Sequence, residues 1–196
     1  VLDCAKMIGA RVARPRRTVA QMRGTLKVGR KLPFLIAVPT TAGTGSEVTA
    51  AAVITEIKNG VHDKYPVSDL HLIPRVAVLD ATLTRTLPPS LTAATGMDAL
   101  THAVEAYTNL FASKYVQNAA REAVYTIFQT LPRAVENGED PEARGKMLHA
   151  SMQAGTAFTN NFVGYVHALA HAIGGLYGVP HGKANAVLLP AVFDEF

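Results

Sequence analysis

The sequence predicts an α/β nucleotide-binding portion over residues 1–88, followed by an all-helical metal-binding domain over residues 89–196. Three observations carry this division. Short runs rich in Val and Ile, bounded by turn residues, lie before Pro88-Pro89, and long helix-period patterns lie after it. A glycine and threonine loop sits in the first region. The grouped candidate metal ligands all sit in the second.

Taken in order, strands are expected at residues 34–38, 50–55 and 76–79, with Asp80 closing the last. Helices are expected at 98–107, 114–136, 142–159 and 163–176, with Asn137-Gly138 and Asp140-Pro141 breaking the second from the third. No internal repeat or low-complexity tract is visible. A chain of 196 residues that is 48% hydrophobic can build one large core or two small ones. No apolar run is long enough to span a bilayer and no signal peptide is recognisable. The single cysteine, Cys4, argues against a disulfide-built secreted fold and fits the cytoplasm.

The formal net charge is +4, and much of the excess falls before Leu32. Lys6, Arg11, Arg14, Arg16, Arg17, Arg23, Lys27, Arg30 and Lys31 face only Asp3 there. The stretch has no interleaved aromatics and Pro15 interrupts it, so it reads as a solvated helix face and loop and not as a nucleic-acid surface. Attraction of an anionic dinucleotide is a milder reading.

Five side chains ask for a common explanation. Asp98 and His102 are i and i+4, as are His167 and His171, so each pair projects from one face of a helix. His181 follows Gly174, Gly175, Gly178 and Pro180, which end a helix and turn the chain back, so it is expected from a loop. Each residue has a plainer reading. Asp98 stands three after Thr95, as the acid of a capping box does. A lone histidine on an apolar helix is more often a hydrogen-bonded core residue. Jointly, burying so many polar groups without a shared partner is costly, and a metal ion supplies that partner. One carboxylate with imidazoles suits zinc or a first-row metal such as iron, and spacing alone leaves open which four of the five bind. A zinc-protease site fails at Ala168, where H-E-x-x-H needs its glutamate.

The loop Thr40-Thr41-Ala42-Gly43-Thr44-Gly45-Ser46 follows the apolar run 35–38. Its hydroxyls and glycines suit a phosphate or ribose, particularly with a helix following. It is neither a Walker loop nor a G-x-G-x-x-G fingerprint, and alone it is more often a plain turn.

PTTAGTGSEVT, LPPSLTAATGMDALTHAVEAYT and VHALAHAIGGLYGVPHGKANAVLLP, in this order, resemble the successive signatures of the iron-containing (group III) alcohol dehydrogenase family. VLDCAK resembles the end of that family's GGGSxxDxAK loop, without the GGGS. The resemblance implies a dehydroquinate-synthase-like architecture, with the active site in a cleft between the two portions. It also implies a longer chain, with nucleotide-binding sequence before Val1 and more helix after Phe196. It assigns Asp98, His102, His167 and His181 as metal ligands and His171 as a cofactor-facing proton relay. Thr40, Thr41, Ala42, Gly43 and Thr44 match the second cofactor loop. Lys64 matches a cofactor-contacting lysine and Asp3 the acid that closes the glycine loop.

The expected cofactors are ferrous iron, with zinc as the alternative, and NAD or NADP. The expected partner is a small alcohol or aldehyde, with no nucleic acid and no membrane, and a homo-oligomer stays open. Hydride would pass between the carbon of a primary alcohol and nicotinamide while the metal acts on the substrate oxygen. Two rivals are a metal-dependent hydrolase or lyase of related fold and a non-catalytic metal-binding fragment. Substrate and cofactor preference are not written in these residues.

Overall fold

The computed structural model describes residues 1–58 and 61–195. It contains an α/β portion and then five consecutive helices, α2 (Pro89–Thr108), α3 (Lys114–Glu136), α4 (Pro141–Asn161), α5 (Tyr165–Tyr177) and α6 (His181–Asp194). Two compact units result, one of residues 1–38 and 46–78, the other of residues 39–45 and 79–196. This division differs from the boundary expected at Pro88. Asp80 caps a short 3-10 turn over Ala81–Thr84, accepting from Thr82 N at 2.9 Å, and that turn packs on α4. The threonine and glycine loop also belongs with the helices.

In the first unit, helix α1 (Leu2–Ala13) accompanies strands β1 (Gly24–Thr25), β2 (Ile36–Ala37), β3 (Ala51–Lys58), β4 (Val61–Ser68) and β5 (Val76–Ala77). β3 and β4 form an antiparallel pair in which Val53 faces Pro66 and Thr55 faces Lys64, and β1 joins β4 in parallel. β2 and β5 make a separate parallel pair. β4 was not expected, because VHDKYPVS carries charges and a proline. Alternation explains it: Tyr65 and Val67 point into the core with Met7, Met22 and Leu72, while Pro66 faces out.

Part of the basic excess is absorbed by backbone carbonyls. Arg14 donates to Val28 O and Gly29 O, and Arg17 to Lys27 O. Lys6 is fully buried, donating to Thr49 O, Thr49 Oγ1 and Ala51 O at 2.8–2.9 Å. Burial holds its pKa down, at about 8.

The helical unit is built on α2, which packs against α3, α4 and α6. Its start is Pro89, nine residues before Asp98, so Thr95 is no N-cap. Thr95 instead bonds back to Leu91 O at 2.9 Å, and the capping-box reading of Asp98 falls away. Ser113 caps α3 and Asp140 caps α4, the latter accepting from Ala143 N at 3.0 Å ahead of Pro141. Buried Arg144 ties α4 to the start of α2 through Thr92 Oγ1 at 2.7 Å and Leu87 O at 3.2 Å. Small residues let the helices close up, with Ala103, Ala106, Ala120, Ala123, Ala154 and Ala157 making one core. Gly178 ends α5 in the left-handed conformation (φ 67°), and Pro180 follows. His181 is therefore not a loop residue: it is the first residue of α6, a helix the sequence reading missed.

The loop 39–45 is shaped by the same packing. A Cβ on Gly43 would lie 2.8 Å from Thr95 O and one on Gly45 2.6 Å from the Gly155 Cα, and Gly45 has φ +58°. Both glycines are thus occupied by α2 and α4, and the space that the sequence assigned to a ligand beside them is filled by helix. No helix follows the loop either, since a turn at 46–48 leads into β3. Replacing Gly45 by Ala should cost about 2–4 kcal/mol, from overpacking plus a left-handed residue, read as a lower urea midpoint. Unchanged stability would show that α4 can move aside.

Candidate metal centre

Three helices deliver the site. α2 presents Asp98, His102 and Glu105 at i, i+4 and i+7, one continuous face, and all three are buried. α5 presents His167 from its first turn and α6 presents His181 from its first residue. α6 can lie close to α2 because Gly182 has no side chain, and a Cβ there would collide with Ala94 O. Asp98 Oδ1 lies 3.6 Å from His167 Nε2 and 3.4 Å from His181 Nε2. One ligand atom from each of the three falls within 4.8 Å of the others. Asn185, one turn along α6 from His181 and fully buried, donates from Nδ2 to Asp98 Oδ1 at 2.7 Å. The same Nδ2 is 3.4 Å from His167 Nε2 and 3.5 Å from His181 Nε2.

Electrostatics favour an ionised Asp98 at the centre of this group. Burial pushes Asp98 up, but the imidazoles of His102, His167 and His181 outweigh it and hold the carboxyl far below its usual range. Burial drives His102 down to about 3, so its ring is neutral. His167 is also penalised by burial, yet its bonds to Asp98 and Glu105 raise its pKa above the ordinary value. The result is a carboxylate facing imidazole nitrogens. His102 Nδ1 and Asn185 Oδ1 are buried without hydrogen-bond partners. That donor set, one oxygen with imidazole nitrogens and no thiolate, fits a divalent first-row metal.

The remaining expected residues are placed as follows. His102 is not in the group of three; it stacks on His167 with ring centroids 4.2 Å apart and on Phe158 at the same distance. His171 is half-buried and stacks on His181 at 4.6 Å, farther from His167 at 6.4 Å. Thr40 and Thr44 are exposed, Thr41 and Ala42 half-buried, and Gly43 buried against Thr95. Asp3 and Lys64 belong to the other unit. Both oxygens of Asp3 are engaged, by Ser46 Oγ at 2.5 Å and Val53 N at 2.8 Å, so this acid braces the turn after Gly45. Lys64 lies on β4 opposite Thr55.

Two residues escaped the sequence reading. Glu105 accepts from His167 Nδ1 at 2.5 Å, and Asn185 touches Asp98. Helical spacing would have found both, because Glu105 continues the stripe of Asp98 and His102 and Asn185 is i+4 from His181.

Comparison with known proteins identifies the family. The profile described as "Iron-containing alcohol dehydrogenase" matches residues 1–81, and "Fe-containing alcohol dehydrogenase family, C-terminal" matches residues 92–195. The chain is 48% identical to alcohol dehydrogenase 4 of Schizosaccharomyces pombe, over 97% of this chain and 44% of that one. It is similar to the crystal structure of 1,3-propanediol oxidoreductase (TM-score 0.92, 46% identity, 97% of this chain and 49% of that one). It is also similar to sulfoacetaldehyde reductase from Bifidobacterium kashiwanohense in complex with NAD+ (TM-score 0.83, 36% identity, 94% and 48%). The chain belongs to the iron-containing alcohol dehydrogenase family. It spans about half the length of the relatives it matches.

The suppressed pKa of His102 has a consequence for stability. An unfolded chain takes up this proton near pH 6.5, while the folded one resists until about pH 3. Protonation therefore favours unfolding, and stability falls as the pH drops through that window. With chelator present, His102→Gln should flatten the acid slope of the unfolding free energy by up to about 1.4 kcal/mol per pH unit. Equal slopes in urea titrations of both proteins would place the His102 ring in contact with solvent.

Proposed function

We propose that the intact protein is a metal-dependent, NAD(P)-linked alcohol dehydrogenase acting between a primary alcohol and its aldehyde. The observation that supports this most directly is the convergence of Asp98, His167 and His181 within 4.8 Å in a chain of this family. We assign these three and His102 as ligands of ferrous iron, with zinc the alternative. His102 is included for its buried, unpartnered Nδ1 beside the group. The metal, when bound, is a Lewis acid that holds and polarises the substrate oxygen.

The protein's own residues do the rest. Asp98 supplies the negative charge that makes a cation welcome, and Asn185 fixes its carboxylate by donating to Oδ1. His171, half-buried with its ring against His181, is assigned the proton exchange between substrate oxygen and water, a task to which an imidazole is suited as both donor and acceptor. Thr40, Thr41, Ala42, Gly43 and Thr44, with Asp3 and Lys64, are assigned to NAD or NADP. Hydride transfer is the cofactor's chemistry, and the protein's part is alignment. Residues 1–88 are then the dinucleotide-binding part and residues 89–196 the metal-binding part of a cytoplasmic enzyme. Against peptide hydrolysis, Ala168 stands where H-E-x-x-H needs its glutamate, and Glu105 is committed to helix α5.

Metal analysis of the intact protein, purified anaerobically, tests the ligands. Asp98→Ala, His102→Ala, His167→Ala and His181→Ala should each fall from stoichiometric metal to background with an unchanged helical signal. His171→Ala should keep the metal, lower turnover and alter the pH profile. Metal retained in His167→Ala would remove the assignment.

Cofactor affinity tests the loop. Thr41→Ala should raise the dissociation constant for the nicotinamide cofactor about three- to tenfold, the worth of one neutral hydrogen bond, at constant metal content. Gly43→Val is a poor probe, since its side chain would meet Thr95 first. If neither NADH nor NADPH binds the unaltered protein while metal does, the hydrolase or lyase reading takes over.

A further inference from the structure

Glu105 is buried behind His167, on the side away from Asp98. Its Oε2 accepts from His167 Nδ1 at 2.5 Å and from Gly164 N at 2.8 Å, and its Oε1 accepts from Val166 N at 2.7 Å. Two of these donors are backbone N–H groups, which can only donate, and as an ionised carboxylate Glu105 accepts all three bonds. A ring nitrogen 2.5 Å from such an oxygen must itself carry the proton. In a neutral imidazole the other nitrogen then holds the lone pair. That nitrogen, Nε2, is the one that lies 3.6 Å from Asp98 Oδ1 and 3.4 Å from the Asn185 amide donor.

The geometry points to Glu105 as a positioning residue: it fixes His167 in the Nδ1–H tautomer and aims the Nε2 lone pair at the metal site. This rests on the assignment of His167 as a ligand. One carboxylate does two tasks here. Gly164, the residue before α5, makes no side-chain cap, so Glu105 caps this helix from α2 while holding the ring two residues into it. A Cβ at 164 would sit 2.8 Å from Glu105 Oε1, so a larger residue there would have to displace the carboxylate. Ligand tautomer, ring direction and helix start are thereby set together, and they would be lost together.

Helix capping alone would predict lower stability and nothing more, so the test must read the ring. In the intact protein, metal-free at alkaline pH and labelled with 15N-histidine, His167 should appear as the Nδ1–H tautomer. Glu105→Gln has one acceptor oxygen where three N–H groups converge, and its NH2 group cannot accept. It should shift His167 toward the Nε2–H form and weaken metal binding about 10- to 100-fold in a cobalt(II) competition titration. An Nε2–H tautomer in the unaltered protein would overturn the proposal without any variant having to fold. So would a Glu105→Gln protein with unaltered tautomer and cobalt affinity and only a lower melting temperature. If the unaltered protein binds no metal, the ligand assignment fails, while the tautomer measurement still decides what Glu105 does.

Discussion

The buried carboxylate of Asp98 constrains everything packed around it. Removing an ionised carboxylate from water costs several kcal/mol unless hydrogen bonds and opposite charge replace the lost solvent. Asp98 is 4% exposed, and its compensation comes from His102 one turn along α2 and from residues far apart in the sequence, Asn185 and His181 on α6 and His167 on α5. The helices must therefore approach within a few ångströms at this depth. Glycine at 182 permits the approach of α6 to α2, and alanine at 103, 106, 154 and 157 lets α2 and α4 close up within the core beside it. The poor apolar volume of those residues is the other side of this choice. The helical unit exchanges large core side chains for close backbones, and close backbones bring the polar groups into reach.

Around Asp98 the polar groups form two layers. His167 and His181 face the carboxylate directly, and Glu105 and Asn185 hold them from behind or beside. Each backing residue also has a structural duty, Glu105 at the start of α5 and Asn185 against Asp98. A site whose supports are also helix caps and helix contacts cannot loosen without the fold loosening. This is the physical sense in which the centre is preorganised.

Much of this was legible in the sequence, for identifiable reasons. Helices α3 and α4 were read to within two residues at each end because Ser113, Asn137 and Asp140-Pro141 are local signals that depend on no distant contact. The i, i+4 pairs on α2 and α5 follow from helical geometry alone. β4 was hidden because its pairing with β3 is tertiary information, and Lys64 and Pro66 outweigh local strand propensity. α6 was hidden because Gly178 and Pro180 announce an ending, and the short turn they make also serves as a new beginning. Glu105 continues the spacing of Asp98 and His102 along α2, but its supporting role depends on a partner from α5, which is tertiary information.

The loop 39–45 shows how a motif can mislead about what its glycines are for. Glycines in such a loop invite the reading that their missing side chains make room for a ligand. Here α2 and α4 take that room, at Thr95 and Gly155. What remains available is the other side of the strip, where Thr40 and Thr44 are exposed and Thr41 is half-buried. The glycines let the loop press onto α2, which carries Asp98, and onto α4. A polar ligand bound on the exposed side would sit on a segment backed by the helix that carries Asp98, and its position would be set by the same packing that sets the position of Asp98. Alignment between a cofactor and a substrate oxygen demands that kind of shared reference, because a small misplacement between reacting centres costs rate steeply.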